Sequence, residues 1–167
     1  MSSLAGSFLV ARPVLQDPNF ARAVVLLLEH GDDGAFGLVV NRPAEVERVP
    51  FPVYAGGPCP ADGLLMVHGH RDWIEDPEEV EKSQVGAGLY IGDADCLARV
   101  TDPPAGQPLR FRIFSGYSGW GPGQLEGELA SGAWAVAHAD AHVLFDTPAQ
   151  DLWAQLVPPT IPQPSTN

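Results

Sequence analysis

Histidine pairs are the first candidates for chemistry in this sequence. His68 and His70 lie two residues apart, and His138 and His142 lie four apart with Asp140 between them. Two histidines four apart on one helix face could share a zinc ion. However, His138–His142 lies between strand-like runs and lacks the Glu that a zinc protease places beside its first His. We therefore interpret all four as ordinary turn or surface histidines, and we predict no metal site and no cofactor.

Two side chains could act as nucleophiles. Ser118 lies in a run that matches the G-x-S-x-G nucleophile elbow until its last position, where Trp120 stands instead of glycine. Cys59 follows Gly57 and Pro58 in a loop-like stretch, with no basic residue next to it that would activate a thiolate. We therefore predict no catalytic residue at either position.

Residues 116–126 form the most distinctive segment, with four glycines ahead of a helix start. Backbone N–H groups exposed there could bind an anion, and Arg110 and Arg112 on the preceding strand would be the nearest basic partners. Glu126 and Glu128 oppose this, because carboxylates in the first turns already satisfy the helix dipole. We favour packing, in which the glycines let the backbone wrap around large aromatic rings, and we expect the two arginines to solvate an exposed sheet face.

The stretch from Asp72 to Glu81 carries six carboxylates. It lacks the alternating Asp/Asn positions, the central Gly and the terminal Glu of a calcium-binding loop. We interpret it as a solvated acidic face.

Length and charge limit the classes of function. The 167 residues fit one domain, which we place at residues 1–157. Eight arginines and Lys82 oppose 21 acidic residues, which gives a net charge of −12 and no basic run. Direct binding to nucleic acid or to an anionic membrane is therefore disfavoured. Two cysteines make no disulfide framework, and no apolar stretch approaches the ~20 residues of a membrane span, so we expect a cytoplasmic protein.

The elements that must position these residues are short. Two apolar runs around the turn at residues 31–34 predict an antiparallel hairpin. We predict loop or irregular structure over 44–63 and a glycine-rich loop over 116–123. The predicted strands are 8–11, 23–29, 36–41, 64–68, 89–91, 109–114, 134–137 and 142–145.

Helices are predicted mainly in the second half of the chain. They cover 93–100, 124–131 with a stop at Gly132, and a last helix capped by Thr147 that buries Leu152, Trp153 and Leu156. A helical turn is expected after Asp76, and residues 158–167 are expected to be a disordered tail. Strands that precede helices favour an α+β fold with a mixed, mainly antiparallel sheet.

Taken together, these segments resemble the AlgH/YqgE family of bacterial proteins over roughly residues 4–156. The ordered combination is specific, although each piece alone is weak. The matching stretches are Phe8–Pro13, Asp17–Phe20, Val24–His30, Gly34–Pro43, Gly56–Pro58, Val67–His68, Gly88–Tyr90 and Gly116–Glu126, with Trp134, Phe145 and Trp153.

The resemblance implies a sheet that curls into a partly open barrel with flanking helices. Some family members are described as transcriptional regulators of exopolysaccharide synthesis, and the family supplies no catalytic residues to carry over. The stretch between Pro43 and Gly56 departs from the family, being short and proline-rich here. Because the chain is so acidic, we expect any regulation of transcription to act through an unknown protein or small-molecule partner.

Our leading hypothesis is a non-catalytic cytoplasmic binding or regulatory domain. The alternative is a hydrolase or nucleotide-handling enzyme, with His68 as acid/base and with Arg42 and the amides of 116–124 holding an anion. The polar members of the site could instead hydrogen-bond the fold together; exposure would favour function and burial would favour architecture. The predicted binding residues are Asn41, Arg42, Gly56, Gly57, His68, Gly116, Tyr117, Gly119, Trp120 and Gln124.

Overall fold

The computed structural model describes residues 3–15, 17–44, 51–101 and 109–157, and these form an α+β fold. The described strands are β1 (Ser7–Ala11), β2 (Val24–Gly31), β3 (Gly34–Val39), β4 (Pro43–Ala44), β5 (Val53–Ala55), β6 (Cys59–His68), β7 (Gln84–Gly86), β8 (Leu89–Ile91), β9 (Phe111–Trp120) and β10 (Trp134–His138). The described helices are α1 (Pro77–Ser83), α2 (Ala94–Thr101), α3 (Gln124–Ala130), α4 (Ala141–Asp146) and α5 (Ala149–Leu156), with a 3-10 turn at Arg71–Trp73.

The strands form one sheet in the order β10-β1-β2-β3-β9-β6-β8-β7. Its described pairs are antiparallel except β5 with β9, which is parallel, and β4 pairs only with β5. The predicted mixed, mainly antiparallel sheet is therefore confirmed, as is the hairpin, with β2 and β3 meeting at Gly31 and Gly34.

The sheet curls until its two ends meet. Ala87, between β7 and β8, forms a bridge with Asp140, just after β10. The Ala87 N–H donates to the Ala139 carbonyl at 3.1 Å, and the Ala141 N–H donates to the Ala87 carbonyl at 2.9 Å. This narrow seam joins opposite ends of the strand order, so the sheet is the partly open barrel that the family resemblance implies.

Strand β9 is longer than the sequence indicates, so the loop predicted over 116–123 is wrong for 116–120 and confirmed for 121–123, which form the turn before α3. Within this strand, Gly116 admits the backbone of Gly57 and of Cys59, where a side chain would collide with their carbonyl oxygens. One edge pairs with β6, and the other pairs first with β5 and then with β3. The prediction of irregular structure over 44–63 is also wrong for β5 and for the start of β6, while residues 45–50 lie outside the described residues.

Helix α4 replaces the strand predicted over 142–145. Asp140 caps it, because its side chain accepts the Val143 N–H at 2.8 Å. The predicted Thr147 cap is also wrong: α5 begins after Pro148 without a side-chain cap, and Thr147 instead ends α4. The other predicted helices are present, with α1 starting after the Asp76 cap.

Helix α4 also covers the side chains that we expected to be exposed. Arg110 donates to the Ala141 carbonyl and Arg112 to the Leu144 carbonyl, and both guanidinium groups lie about 5.5 Å from the Phe145 ring centroid. Both arginines are half-buried. The prediction of a solvated sheet face at Arg110 and Arg112 is therefore wrong.

The core has layers on both faces of the sheet. Alternate residues of a strand point to opposite sides, and Phe8–Ala11 of β1 and Val24–Leu27 of β2 are buried on both faces. One side packs against α4 and α5 through Leu144 and Leu152, and the other against α3 through Leu125. Helix α2 packs against the sheet through Cys96 and Val100, which belong to a third hydrophobic cluster.

The described helices have at most eight residues. Among them we find none of the length and apolarity needed to cross a bilayer. The tail predicted over 158–167 lies outside the described residues.

Candidate functional site

His68 ends β6 and is completely buried. Its ring packs against Trp73, with 4.8 Å between ring centroids, and against Tyr90 at 5.8 Å. Burial lowers the pKa of His68 to about 4, and the neighbouring His70 acts in the same direction. The ring is therefore neutral at physiological pH.

The backbone fixes the ring proton of His68. The N–H of His70 donates to His68 Nδ1 at 3.1 Å, so the proton of the neutral ring lies on Nε2. Nε2 faces Cys96 Sγ at 3.8 Å. Because the ring presents a proton rather than a lone pair to the thiol, His68 cannot act as a base toward Cys96. Burial also raises the pKa of the Cys96 thiol, which keeps it protonated.

The predicted glycines form a backbone junction in the sheet. The Gly56 N–H donates to the Ser115 carbonyl, and the Gly56 carbonyl accepts both the Val39 N–H and the Ser118 hydroxyl. This one residue therefore joins β3 to β9 at the point where β5 leaves the edge of β9.

Side chains are excluded from this junction by contact distance. A Cβ added to Gly56 would lie 2.4 Å from the Gly116 carbonyl oxygen, and one added to Gly57 would lie 2.3 Å from the Tyr117 carbonyl oxygen. Gly116 itself has φ +78° and approaches the Gly57 carbonyl. The glycines thus permit contact between two backbones, a different role from the wrapping of aromatic rings that we expected. The Tyr117 ring packs on Phe36 across the sheet.

Trp120 and Gln124 belong to a network around Glu128. Glu128 Oε1 accepts the indole N–H of Trp120 and of Trp134, and Glu128 Oε2 accepts the amide of Gln124. Gln124 Oε1 in turn accepts the Gly121 N–H at 3.0 Å. Trp120 is 5% exposed, so this network holds α3 against the sheet.

Asn41 and Arg42 hold the turn that leads into β2. Asn41 accepts the Val24 N–H at 2.9 Å and donates to the Arg22 carbonyl at 2.9 Å. The Arg42 guanidinium donates to the carbonyls of Asn19 and Ala21. Burial lowers the pKa of Arg42 from its ordinary value, while Asp17 acts in the opposite direction.

These two side chains also line an open groove against α5, which we call the Arg22 groove. It has a volume of about 340 Å³ and is bounded by Arg22, Asn41 and Arg42 on one side and by Gln150, Trp153 and Ala154 on the other. The Arg22 guanidinium lies 5.7 Å from the Trp153 ring centroid.

The structure brings only some of the predicted residues together. Arg42 adjoins the glycine junction, because its carbonyl accepts the Ala55 N–H at 2.7 Å. His68 pairs with Phe111, six residues before Tyr117 on β9, which places it about 20 Å away along the strand. Gly119 and Trp120 lie beyond the junction, where β9 pairs with β3. The predicted set therefore occupies several separate places.

Sequence reasoning missed two residues of the Arg22 groove. The sequence predicts Trp153 on the buried face of the last helix, but the side chain is only half-buried and donates its indole N–H to the Ala11 carbonyl at 2.7 Å. Arg22 carried no signal, because its stacking on Trp153 joins residues far apart in the chain.

Metal chemistry has no evident centre in the part of the chain that the structure describes. Over these ranges, no group of three or more His, Cys, Asp or Glu is arranged to hold an ion. His138 and His142 are both exposed, on β10 and α4, and His142 Nδ1 lies 2.5 Å from Asp146.

Comparison with known proteins identifies relatives along nearly the whole chain. A family model described as AlgH-like matches residues 8–160. A UPF0301 protein of Streptomyces coelicolor is 37% identical over 172 residues, which cover 94% of this chain and 86% of that protein. A UPF0301 protein of Pseudoalteromonas translucida is 34% identical over 174 residues, which cover 94% and 91%.

Solved structures share the fold. The solution structure of the AlgH protein from Pseudomonas aeruginosa has a TM-score of 0.70 and 30% identity, and the match covers 92% of this chain and 87% of that one. A crystal structure of a protein from Corynebacterium diphtheriae has a TM-score of 0.73 and 26% identity, covering 94% and 88%.

Proposed function

This chain belongs to the AlgH-like family, and on that premise we propose that it is a non-catalytic binding domain with a regulatory role. It acts through a protein or small-molecule partner rather than through direct contact with DNA. The observation that carries the proposal is the burial of His68. The alternative hypothesis, a hydrolase or nucleotide-handling enzyme, requires this residue as its acid/base.

His68 is unsuited to acid–base catalysis. It is inaccessible to substrate, neutral, and committed through both ring nitrogens to His70 and Cys96. The open cleft beside it is lined by Trp73 and Cys96 but not by His68. A hydrolase that used His68 has no support in this arrangement.

The distribution of positive charge argues against a nucleic-acid surface. Arg42, Arg110 and Arg112 are half-buried and donate to main-chain carbonyls, so they are poorly available to phosphates. With a net charge of −12, the chain offers little of the counterion release that drives binding to DNA.

A cytoplasmic location is part of the proposal. Cys59 and Cys96 are both free thiols, which is typical of proteins kept in a reducing compartment.

Ligand screening by thermal shift tests the proposal. Wild type and His68→Gln are screened against nucleotides, phosphorylated metabolites and divalent metals, because a bound ligand raises stability in proportion to RT ln(1 + [L]/Kd). Each hit is then incubated with protein and followed by NMR. We expect equal shifts at matched ligand excess in both proteins and an unchanged ligand. Conversion of a ligand by wild type that is lost in His68→Gln contradicts a non-catalytic role.

Binding to DNA is tested separately by fluorescence anisotropy of a labelled duplex at physiological salt. We expect no binding that survives a polyanion competitor such as heparin. Binding that does survive shows direct contact with DNA and contradicts action through a partner.

A further inference from the structure

The Arg22 groove is a positively charged surface on a strongly acidic protein. Its lining includes no carboxylate, and its available charge is the exposed Arg22, because Arg42 in the same lining is bonded to main-chain carbonyls. By contrast, the cleft at the β2–β3 turn is lined by Glu29, Asp32 and Asp33. The cleft beside Trp73 is lined by one arginine and by Glu75, Asp76, Glu79, Asp93 and Asp95. An anion that approaches this chain therefore finds its most favourable described cleft at Arg22.

The Arg22 guanidinium is positioned in advance. It lies over the Trp153 ring, and that ring is fixed by the bond from Trp153 Nε1 to the Ala11 carbonyl. A guanidinium held over an aromatic ring keeps N–H groups available to bind a carboxylate or phosphate through two parallel bonds.

Arg22 also has an unfavourable backbone conformation. Its φ is 60°, the only positive φ outside glycine among the residues that the structure describes. The conformation is imposed by its neighbours, since Asn41 bonds both the Arg22 carbonyl and the Val24 N–H. A long side chain at a position that suits glycine indicates that the side chain itself has a use.

The groove has the dimensions of a small-molecule site. It extends over about 340 Å³, and a second cavity of about 280 Å³ lies across Arg22 and Trp153, lined also by Pro13 and Leu15. Pockets for small ligands begin at about 300 Å³ and combine apolar walls with a few fixed polar groups. Here Trp153 and Ala154 supply the apolar wall, and Arg22, Asn41 and Gln150 supply the polar groups.

We propose that the Arg22 groove binds a small organic oxyanion, a carboxylate or a phosphate monoester, through the Arg22 guanidinium. The anion pairs with the edge of the guanidinium, and its apolar body lies against Trp153. This inference rests on the proposed binding function and names the ligand class of that function. Asp17, which acts electrostatically on Arg42, and Asp151, which follows the lining residue Gln150 in the chain, are exposed and are not part of the lining; their charges disfavour larger polyanions.

The test is an NMR titration that follows the Trp153 indole N–H signal, with inorganic phosphate, phenyl phosphate and benzoate as probes. Comparison of phenyl phosphate with inorganic phosphate shows whether binding requires an apolar body. Comparison of phenyl phosphate with benzoate shows whether the groove prefers a phosphate or a carboxylate. Arg22→Gly removes the guanidinium and suits the left-handed backbone, so the fold is retained. Arg71→Gln removes an exposed charge elsewhere and is the matched control.

We expect phenyl phosphate or benzoate to shift the Trp153 signal at millimolar concentration, more strongly than inorganic phosphate does. Affinity should fall about tenfold in Arg22→Gly, the loss expected for one charge-assisted contact, and should be unchanged in Arg71→Gln. If no probe moves the signal, or if Arg22→Gly binds as tightly as wild type, the groove is not an oxyanion site. Neither result contradicts the proposed binding function, because that proposal is contradicted by conversion of a ligand in the NMR assay or by binding to DNA in the anisotropy assay.

Discussion

Glu128 accepts the indole N–H of Trp120, with 3.0 Å between Trp120 Nε1 and Glu128 Oε1, and the same oxygen accepts the indole N–H of Trp134 at 2.9 Å. One carboxylate on α3 thus satisfies two aromatic residues that are at most 5% exposed. Phe20 completes the group, with its ring within 6 Å of both indole centroids. Helix α3 is therefore fixed to the sheet by a polar contact inside an aromatic cluster.

Replacement of Glu128 should destabilise the protein strongly. In Glu128→Ala, two nearly buried indole N–H groups lose a charged acceptor, and each such bond contributes about 1.5–3 kcal/mol. For the two bonds together, we expect the free energy of unfolding to fall by about 3–6 kcal/mol in urea denaturation. Glu81→Ala, at an exposed position of α1, is the control and should change it by less than about 0.5 kcal/mol. Equal effects of the two changes would contradict a structural role for the network.

Because of His68, the free energy of unfolding should decrease as the pH decreases. The unfolded chain takes up a proton near pH 6.5, whereas the buried ring stays neutral until about pH 4, so acid favours the unfolded state between these values. The contribution is about 3 kcal/mol, since one pKa unit corresponds to 1.36 kcal/mol. It is fully present above pH 6.5 and is lost as pH falls toward 4.

Comparison with variants isolates that contribution from the carboxylates. His68→Gln should flatten the dependence of unfolding free energy on pH between 6.5 and 4, while His138→Gln, at an exposed position, should not. His70 also has a lowered pKa, caused first by burial, so a slope remains in His68→Gln. Identical pH profiles for wild type and His68→Gln would show that the ring titrates as if exposed.

The glycine junction should tolerate no side chain. In Gly57→Ala the new Cβ would meet the Tyr117 carbonyl oxygen at 2.3 Å, and φ is +152°. We expect a loss of about 3 kcal/mol or more, from backbone displacement and an unfavourable conformation. Gly127→Ala is the contrast, because that position in α3 has open space around it and alanine is the better helix former. It should gain about 0.5–1 kcal/mol. If the two backbones of the junction approach as closely as described, the melting temperature falls in Gly57→Ala and rises in Gly127→Ala.

The backbone strain at Arg22 can be measured with two substitutions at one site. Arg22→Ala and Arg22→Gly both remove the contact between the guanidinium and the Trp153 ring, but only glycine adopts φ 60° without strain. We expect Arg22→Gly to be more stable than Arg22→Ala by about 1 kcal/mol, from denaturant midpoints with matched slopes. If the alanine variant is equally stable or more so, the left-handed conformation at this position is relaxed in solution.

Sequence patterns predicted the elements whose signals are local. The hairpin of β2 and β3 follows from two apolar runs around a short turn, and α3 follows from Gln124 at its start and Gly132 at its stop. The sequence does not predict helix α4, because a short apolar run fits both the period of a helix and the period of a strand.

Other features depended on contacts that no local pattern contains. Gly116 and Gly119 are typical of a loop, yet β9 runs through them because other backbones pack closely against this strand. Arg110 and Arg112 alternate as an exposed face does, and only the return of α4 covers them. The burial of His68 likewise depends on Trp73, Tyr90 and Cys96, which come from three later parts of the chain. The candidate site was therefore less predictable than the fold.

Strand β1 has consequences for how the protein is made. Its two neighbours are β2, which follows directly, and β10, which pairs Trp134–His138 with Ser7–Ala11 across most of the chain. While the ribosome is still producing the middle of the protein, one edge of β1 has no partner, and its residues Phe8 to Ala11 are all apolar. An open apolar edge invites pairing with other nascent chains. Folding must then wait for the last strand to emerge, so the risk of aggregation during synthesis is set at the beginning of the chain and removed only near its end.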